Sequence, residues 1–207
     1  MKNERYNMSF TTGGLFLRES VEISELYLQD PDWENVRSQV LEENIFQFRK
    51  ITSARRSFNE VLKRLKNLSQ KELAFFVNTN AKEQKHLLWV AVCKTYRFIH
   101  DFALEVIREK YLRLEMEISN QDFQIFFYHK AELDPHLEEL TERTRRNCRT
   151  TLFKIMYDAD ILTKEKLIIP AMFSNQFIDL IKDINIELLL LFPITDCDIQ
   201  RFISNGK

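Results

Sequence analysis

Residues 33–66 read WENVRSQVLEENIFQFRKITSARRSFNEVLKRLK, and the spacing of their apolar side chains decides the fold class. Trp33, Val36, Val40 and Leu41 recur at the steps of one face of an α-helix. Asn44-Ile45-Phe46 interrupts that pattern, and asparagine can end a helix in a left-handed conformation. A second helix is expected to start near Thr52 or Ser53, both suitable N-caps. Its apolar positions Ala54, Phe58, Val61, Leu62 and Leu65 form one stripe, while Arg55, Arg56, Lys63 and Lys66 lie off it. Two short helices, a tight joint and a basic second helix are the pattern of a DNA-binding helix-turn-helix. An ordinary helical pair with a solvated Lys/Arg face has the same periodicity, so these residues leave both readings open.

Composition extends the helical reading to the whole chain. Its 207 residues suit one domain or two small ones with a proper core. Hydrophobic residues at 44% and charged residues at 29% mark a globular rather than a disordered chain. Only 3 glycines occur, against about 14 expected from average usage. With 4 prolines besides, little material remains for tight hairpins, and an all-α fold is expected. The 17 phenylalanines imply a bulky aromatic core. Cys93, Cys148 and Cys197 are far apart and form no CxxC, which fits a reducing cytoplasm and neither a disulfide framework nor a zinc site. The opening MKNERYNMSF has no apolar signal-peptide core. The longest apolar run near the C-terminus, Leu188 to Ile194, is far short of the ~20 residues a spanning helix needs. A cytoplasmic protein without a membrane segment is expected.

Outward from 33–66, residues 1–9 read as polar and frayed. Gly13-Gly14 opens a helix to about Gln29, stopped by Asp30-Pro31-Asp32, with Asp32 capping the next helix. Ser69 with Glu72 is a capping box for a helix through Phe76. Asn80 with Glu83 starts another, and a long helix runs from Tyr96 to about Leu114. The chain restarts at Ser119, with a helix over Gln121 to Ala131 burying Phe123, Phe126 and Phe127. Asp134-Pro135 breaks it, and a short helix from His136 to Leu140 follows. Thr141 to Asp158, TERTRRNCRTTLFKIMYD, is a strongly basic helix with Cys148, Leu152, Ile155 and Met156 facing inward. Ile161 to Pro170 places short apolar runs around a charged turn: a small β-hairpin wing tipped by Lys164 and Lys166, or a plain loop. Helices over Ser174–Ile184 and Asp196–Ile203 close the core. The expected organisation is two packed helical subdomains. Residues 10–116 carry the helix-turn-helix-like pair, and residues 117–207 are winged-helix-like.

The net charge of −1 points to no partner, but its distribution does. Residues 49–66 carry +6 and residues 141–154 carry +4 on an otherwise acidic chain. Two basic clusters on such a background are the electrostatic footprint of a nucleic-acid binder. A surface that docks an acidic protein has the same footprint. Catalytic signatures are missing: no P-loop, GxGxxG, GxSxG, HExxH or HxE…CxxC occurs. His86, His100, His129 and His136 have no close ligand spacing. Asp158 and Asp160 read as a helix-ending turn, and Glu42-Glu43 as a solvated face. A non-enzyme with no cofactor, metal or small-molecule substrate is expected.

Gly13-Gly14-Leu15, Trp33-Glu34-Asn35-Val36-Arg37, Glu43-Asn44-Ile45-Phe46 and Thr52-x-x-Arg55-Arg56…Arg64-Leu65 are together similar to the N-terminal pattern of the BrxA family. Thr141-x-x-Thr144-Arg145-Arg146…Leu152, ahead of the wing-like stretch, extends the resemblance from about residue 10 to 190. BrxA proteins are small components of bacterial BREX phage-defence systems. The resemblance implies a mostly α-helical, non-enzymatic protein that binds double-stranded DNA. Arg49, Lys50, Arg55, Arg56 and Lys63 would then contact phosphates or a groove from the N-terminal half. Arg143, Arg145, Arg146, Arg149 and Lys154 would do so from the C-terminal half, with Lys164 and Lys166 on the wing. Two other readings stay open: an assembly adaptor for other BREX proteins, and an RNA-binding helical bundle like NusB.

Overall fold

The computed structural model describes residues 5–11, 13–43, 45–46 and 51–204, with only the backbone of residue 51. The fold is all-α, and among the described residues no strand forms. The chain divides into two compact units, residues 15–95 and residues 1–14 with 96–207.

The first unit holds α1 (Leu17–Gln29), α2 (Trp33–Glu42), α3 (Ile51–Leu65), α4 (Gln70–Asn78) and α5 (Ala81–Thr95). Its helix starts follow local chemistry. Asp32 caps α2 by accepting from the backbone N–H groups of Glu34, at 2.8 Å, and Asn35. Across that turn the rings of Tyr27 and Trp33 stack at 3.7 Å. Ser69 and Glu72 form the expected reciprocal box at the start of α4. Glu72 is itself buried, and the Lys94 ammonium 2.7 Å away neutralises it. On α5 the run Leu87 to Val92 is buried on every side, which makes this helix the axis of the unit. Around it α3 buries Ala54, Phe58, Val61 and Leu65. Arg64 is fully buried too. Its guanidinium lies 2.8 Å from Glu60, donates to the Leu15 carbonyl at 3.3 Å and sits over the Phe16 ring. One of the charges in the basic cluster therefore faces inward. Asn44, expected to end α2, lies outside the described residues.

The second unit begins with α6 (Arg97–Phe102), which runs through a π-helical turn at Ala103–Arg108 into α7 (Glu109–Leu112). Then come α8 (Asn120–Ala131), α9 (Pro135–Glu138), α10 (Glu142–Asp158), α11 (Asn175–Ile184), a 3₁₀ turn (Ile186–Leu191) and α12 (Asp196–Ser204). Phe98 is the hub of the aromatic core, with Phe123, Phe126 and Phe127 at centroid distances of 5.9, 5.1 and 6.1 Å. Ser119, Asp134, Thr141 and Ser174 cap α8, α9, α10 and α11 through their side chains.

Two expectations need correction or refinement. Residues 5–9 are not frayed. Tyr6, Met8 and Phe10 are buried in alternation along an extended strap. Tyr6 donates its backbone N–H to Asp134 at 2.8 Å and its hydroxyl to Asp101 at 2.7 Å. The Cys148 thiol lies 3.6 Å from the Met8 carbonyl. A two-residue apolar period hidden in a polar composition produces the strap. The loop at 161–170 holds one antiparallel bridge, Leu162 to Ile168, and a second joins Leu167 to Glu117, with no strand around either. Backbone hydrogen bonds from Ile118 to the Lys166 carbonyl and from Ile168 to the Met116 carbonyl pin the loop down.

Candidate nucleic-acid interface

Helical geometry sorts the basic residues of α3. Thr52, Arg55, Arg56 and Asn59 are exposed at three- and four-residue steps, with Lys66 two turns further on, opposite the buried stripe. From Arg55 to Lys66 that face is about 16 Å long at the helical rise. Neither Arg55 nor Arg56 has a carboxylate partner among the described residues. Lys63 is half-buried, and burial pulls its ammonium below the usual value, only partly offset by Glu60. Arg49 and Lys50 lie outside the described residues.

On α10 the same geometry produces two rows. Arg143, Arg146, Asn147, Thr150, Lys154 and Tyr157 are exposed along one face. Arg143 and Arg146 carry no ion pair among the described residues. Lys154 lies beside Gly14, where an added Cβ would meet the Lys154 Cε at 2.9 Å and an Asp158 carboxylate oxygen at 2.5 Å. Arg145 and Arg149, four residues apart, form the other row and turn toward α8. Arg145 is occupied: its Nε donates to the Leu140 carbonyl at 3.0 Å, its Nη2 to the Glu138 carbonyl at 2.7 Å, and its guanidinium covers the Phe127 ring. It ties the α9 turn to α10, so two of its donors are already engaged within the fold. Lys166 is likewise engaged, over the Phe153 ring and 3.2 Å from Asn120 Oδ1. Lys164, at the tip of the same loop, is exposed.

Between α8 and α10 a cleft of about 60 Å³ is lined by Phe123, Gln124, Phe127 and Tyr128 on one side and Arg145, Arg146 and Arg149 on the other. Tyr128 on its rim escaped the sequence reading. The signal was present, because Tyr128 follows the buried pair Phe126-Phe127 and falls off their face. Among the described residues no group of three or more His, Cys, Asp or Glu side chains is arranged to hold a metal ion. No helix of the described residues is long and apolar enough to cross a membrane.

Comparison with known proteins places this arrangement in a family. The chain is similar to BREX protein BrxA of Escherichia coli O9:H4 (strain HS), with 23% identity over 202 residues, 97% of this chain and 87% of that protein. It is similar also to BREX protein BrxA of Bacillus cereus (strain H3081.97), with 24% identity over 166 residues, 80% of this chain and 83% of that protein. A crystal structure of an uncharacterized protein from Magnetospirillum magneticum shares the fold, with a TM-score of 0.78 at 18% identity over 92% of this chain and 98% of that one. The BrxA family model matches residues 4–185, which takes in the strap, both basic helices and the 161–170 loop, and the chain belongs to the BrxA family.

Proposed function

We propose that this chain is a non-enzymatic, double-stranded DNA-binding component of a BREX phage-defence system, acting in the cytoplasm through phosphate contacts from α3 and α10. The observation that carries the reading is the pair of exposed helix faces bearing Arg55 and Arg56, and Arg143 and Arg146, none with a carboxylate partner among the described residues. An unpaired surface guanidinium is open to phosphate, which it can bind through two parallel N–H donors. The relatives' shared name supports membership of a BREX system. Lys154 on α10 and Lys164 on the 161–170 loop add charge, and that loop would serve as a wing. Sequence preference is expected to be weak, because phosphate contacts carry no base information.

Fluorescence anisotropy with a blunt labelled duplex across a salt series tests the reading. The wild-type log–log slope should be steep and negative, at about −0.9 per phosphate neutralised. Arg55→Glu/Arg56→Glu and Arg143→Glu/Arg146→Glu should each weaken binding and shallow that slope by about 2. Unchanged affinity in both variants would sink the proposal. A docking role toward another BREX protein has its own support in the exposure of Leu114, at 82%, and Ile125, at 62%. Co-purification that survives high salt but is lost in Leu114→Asp would favour it.

A further inference from the structure

We infer that the α8–α10 cleft takes an unpaired DNA nucleotide, with its phosphate against Arg146 and Arg149 and its base stacked on Tyr128. The inference rests on the duplex-binding reading above and assigns this cleft a separate task within it.

Three observations carry it. Arg149 is half-buried against α8, yet it has no hydrogen-bond or ion-pair partner among the described residues, and Arg146, exposed at the mouth of the cleft, has none either. Drawing the Arg149 guanidinium partly out of water without an anion is costly, so a cleft that holds it, with Arg146 at the mouth to add a second positive charge, is suited to an anion. The single acid on its wall among the described residues is Glu142, and Arg145 is already fixed by the Leu140 and Glu138 carbonyls. Second, the cleft is small, about 60 Å³, which suits a tetrahedral phosphate and leaves a base outside. Third, an aromatic ring waits where that base would fall. Tyr128 is 58% exposed, and its ring is held edge-on to Phe127, 6.1 Å away at 86°.

Phosphate contacts alone need no aromatic, and the bases of an intact duplex are stacked on each other. An arginine pair beside an exposed tyrosine is the arrangement that holds single-stranded nucleic acid. It differs from the outward stripe of α3, whose exposed residues Thr52, Arg55, Arg56, Asn59 and Lys66 offer charge without an aromatic ring. Such a protein would favour duplex that adjoins unpaired DNA: a frayed end, an overhang or an opened segment.

The test compares a blunt duplex with the same duplex bearing a short 3′ or 5′ overhang that contains 2-aminopurine. Wild-type protein should bind the tailed duplex about tenfold more tightly, since stacking on an aromatic contributes on that order per base. It should also shift the 2-aminopurine fluorescence. Tyr128→Ala should abolish both the preference and the fluorescence change while keeping blunt-duplex affinity, and Tyr128→Phe should retain them. Arg149→Gln should lose the preference as well. Equal binding of blunt and tailed duplexes by wild type overturns the inference and leaves the duplex reading standing. Tight binding of the single-stranded overhang with no duplex binding overturns the duplex reading instead. Binding of neither removes both. Displacement by single-stranded RNA more readily than by DNA of the same sequence overturns the assignment to DNA.

Discussion

Arg55 and Arg64 lie nine residues apart on α3 and do opposite things. Arg55 faces solvent without a partner among the described residues, whereas Arg64 is fully buried against Glu60, the Leu15 carbonyl and the Phe16 ring. Arg64→Ala should therefore cost about 3 kcal/mol in urea unfolding, because it empties the space of a fully buried side chain and removes its ion pair with Glu60 and its bond to the Leu15 carbonyl. Arg55→Ala should stay within about 0.5 kcal/mol of wild type and appear in DNA affinity instead. The two adjacent glycines differ in a similar way. Gly13 holds a φ of 94°, where a side chain is strained, so Gly13→Ala should lose about 1–2 kcal/mol. Gly14 is limited by space: its Cβ would press on the ends of the Lys154 and Asp158 side chains. Lys154 can swing away, and Gly14→Ala should disturb the α10 basic face more than it disturbs stability. Comparing unfolding midpoints with duplex affinity separates these four effects.

At the scale of elements, helix starts carry most of the local specification. Ser119 and Asp122 cap α8 reciprocally, and the Lys110 ammonium lies 3.0 Å from Asp122. Burial works against the Asp122 carboxylate, but the Ser119 backbone and hydroxyl bonds and Lys110 together outweigh it and hold the carboxyl below its ordinary 3.8. A depressed folded-state value means stability that is fully present above the unfolded value and is lost as pH falls through the folded one. Wild type should thus lose stability below about pH 4, and Asp122→Asn should be less stable at neutral pH but flatter across that acid range. Chemical denaturation at several pH values reads both effects. Ser119→Ala should cost about 1 kcal/mol at neutral pH by removing the cap.

At the scale of the molecule, the strap at residues 5–11 belongs to the unit built from residues 96–207, although helices α1 to α5 separate them in sequence. Phe10 is fully buried and packs on Tyr96 at 5.2 Å and Phe98 at 6.1 Å. Phe10→Ala should therefore cost about 3–5 kcal/mol, and hydrogen exchange should show the lost protection in α6, α8 and α10. Equal loss in α3 and α5 would contradict that assignment.

The sequence by itself determined the helices and their caps. Each depends on neighbours within one or two turns, as with Asp32, Ser69, Ser119 and Thr141. It determined the all-α class too, through the scarcity of glycine and the 3.6-residue apolar period. Only the tertiary structure decided which basic side chains remain free. Arg64, Arg145, Arg146 and Arg149 look alike in sequence, and Arg64 turns inward because Leu15 and Phe16 come beside it from far along the chain, while α8 sets the surroundings of Arg145 and Arg149. The same holds for the strap, whose three apolar side chains gain a core only when α6, α8 and α10 are already in place. Local periodicity records which way a side chain points from its own helix. It carries no record of the partner waiting there, because that partner is set by burial of surfaces far apart in the chain.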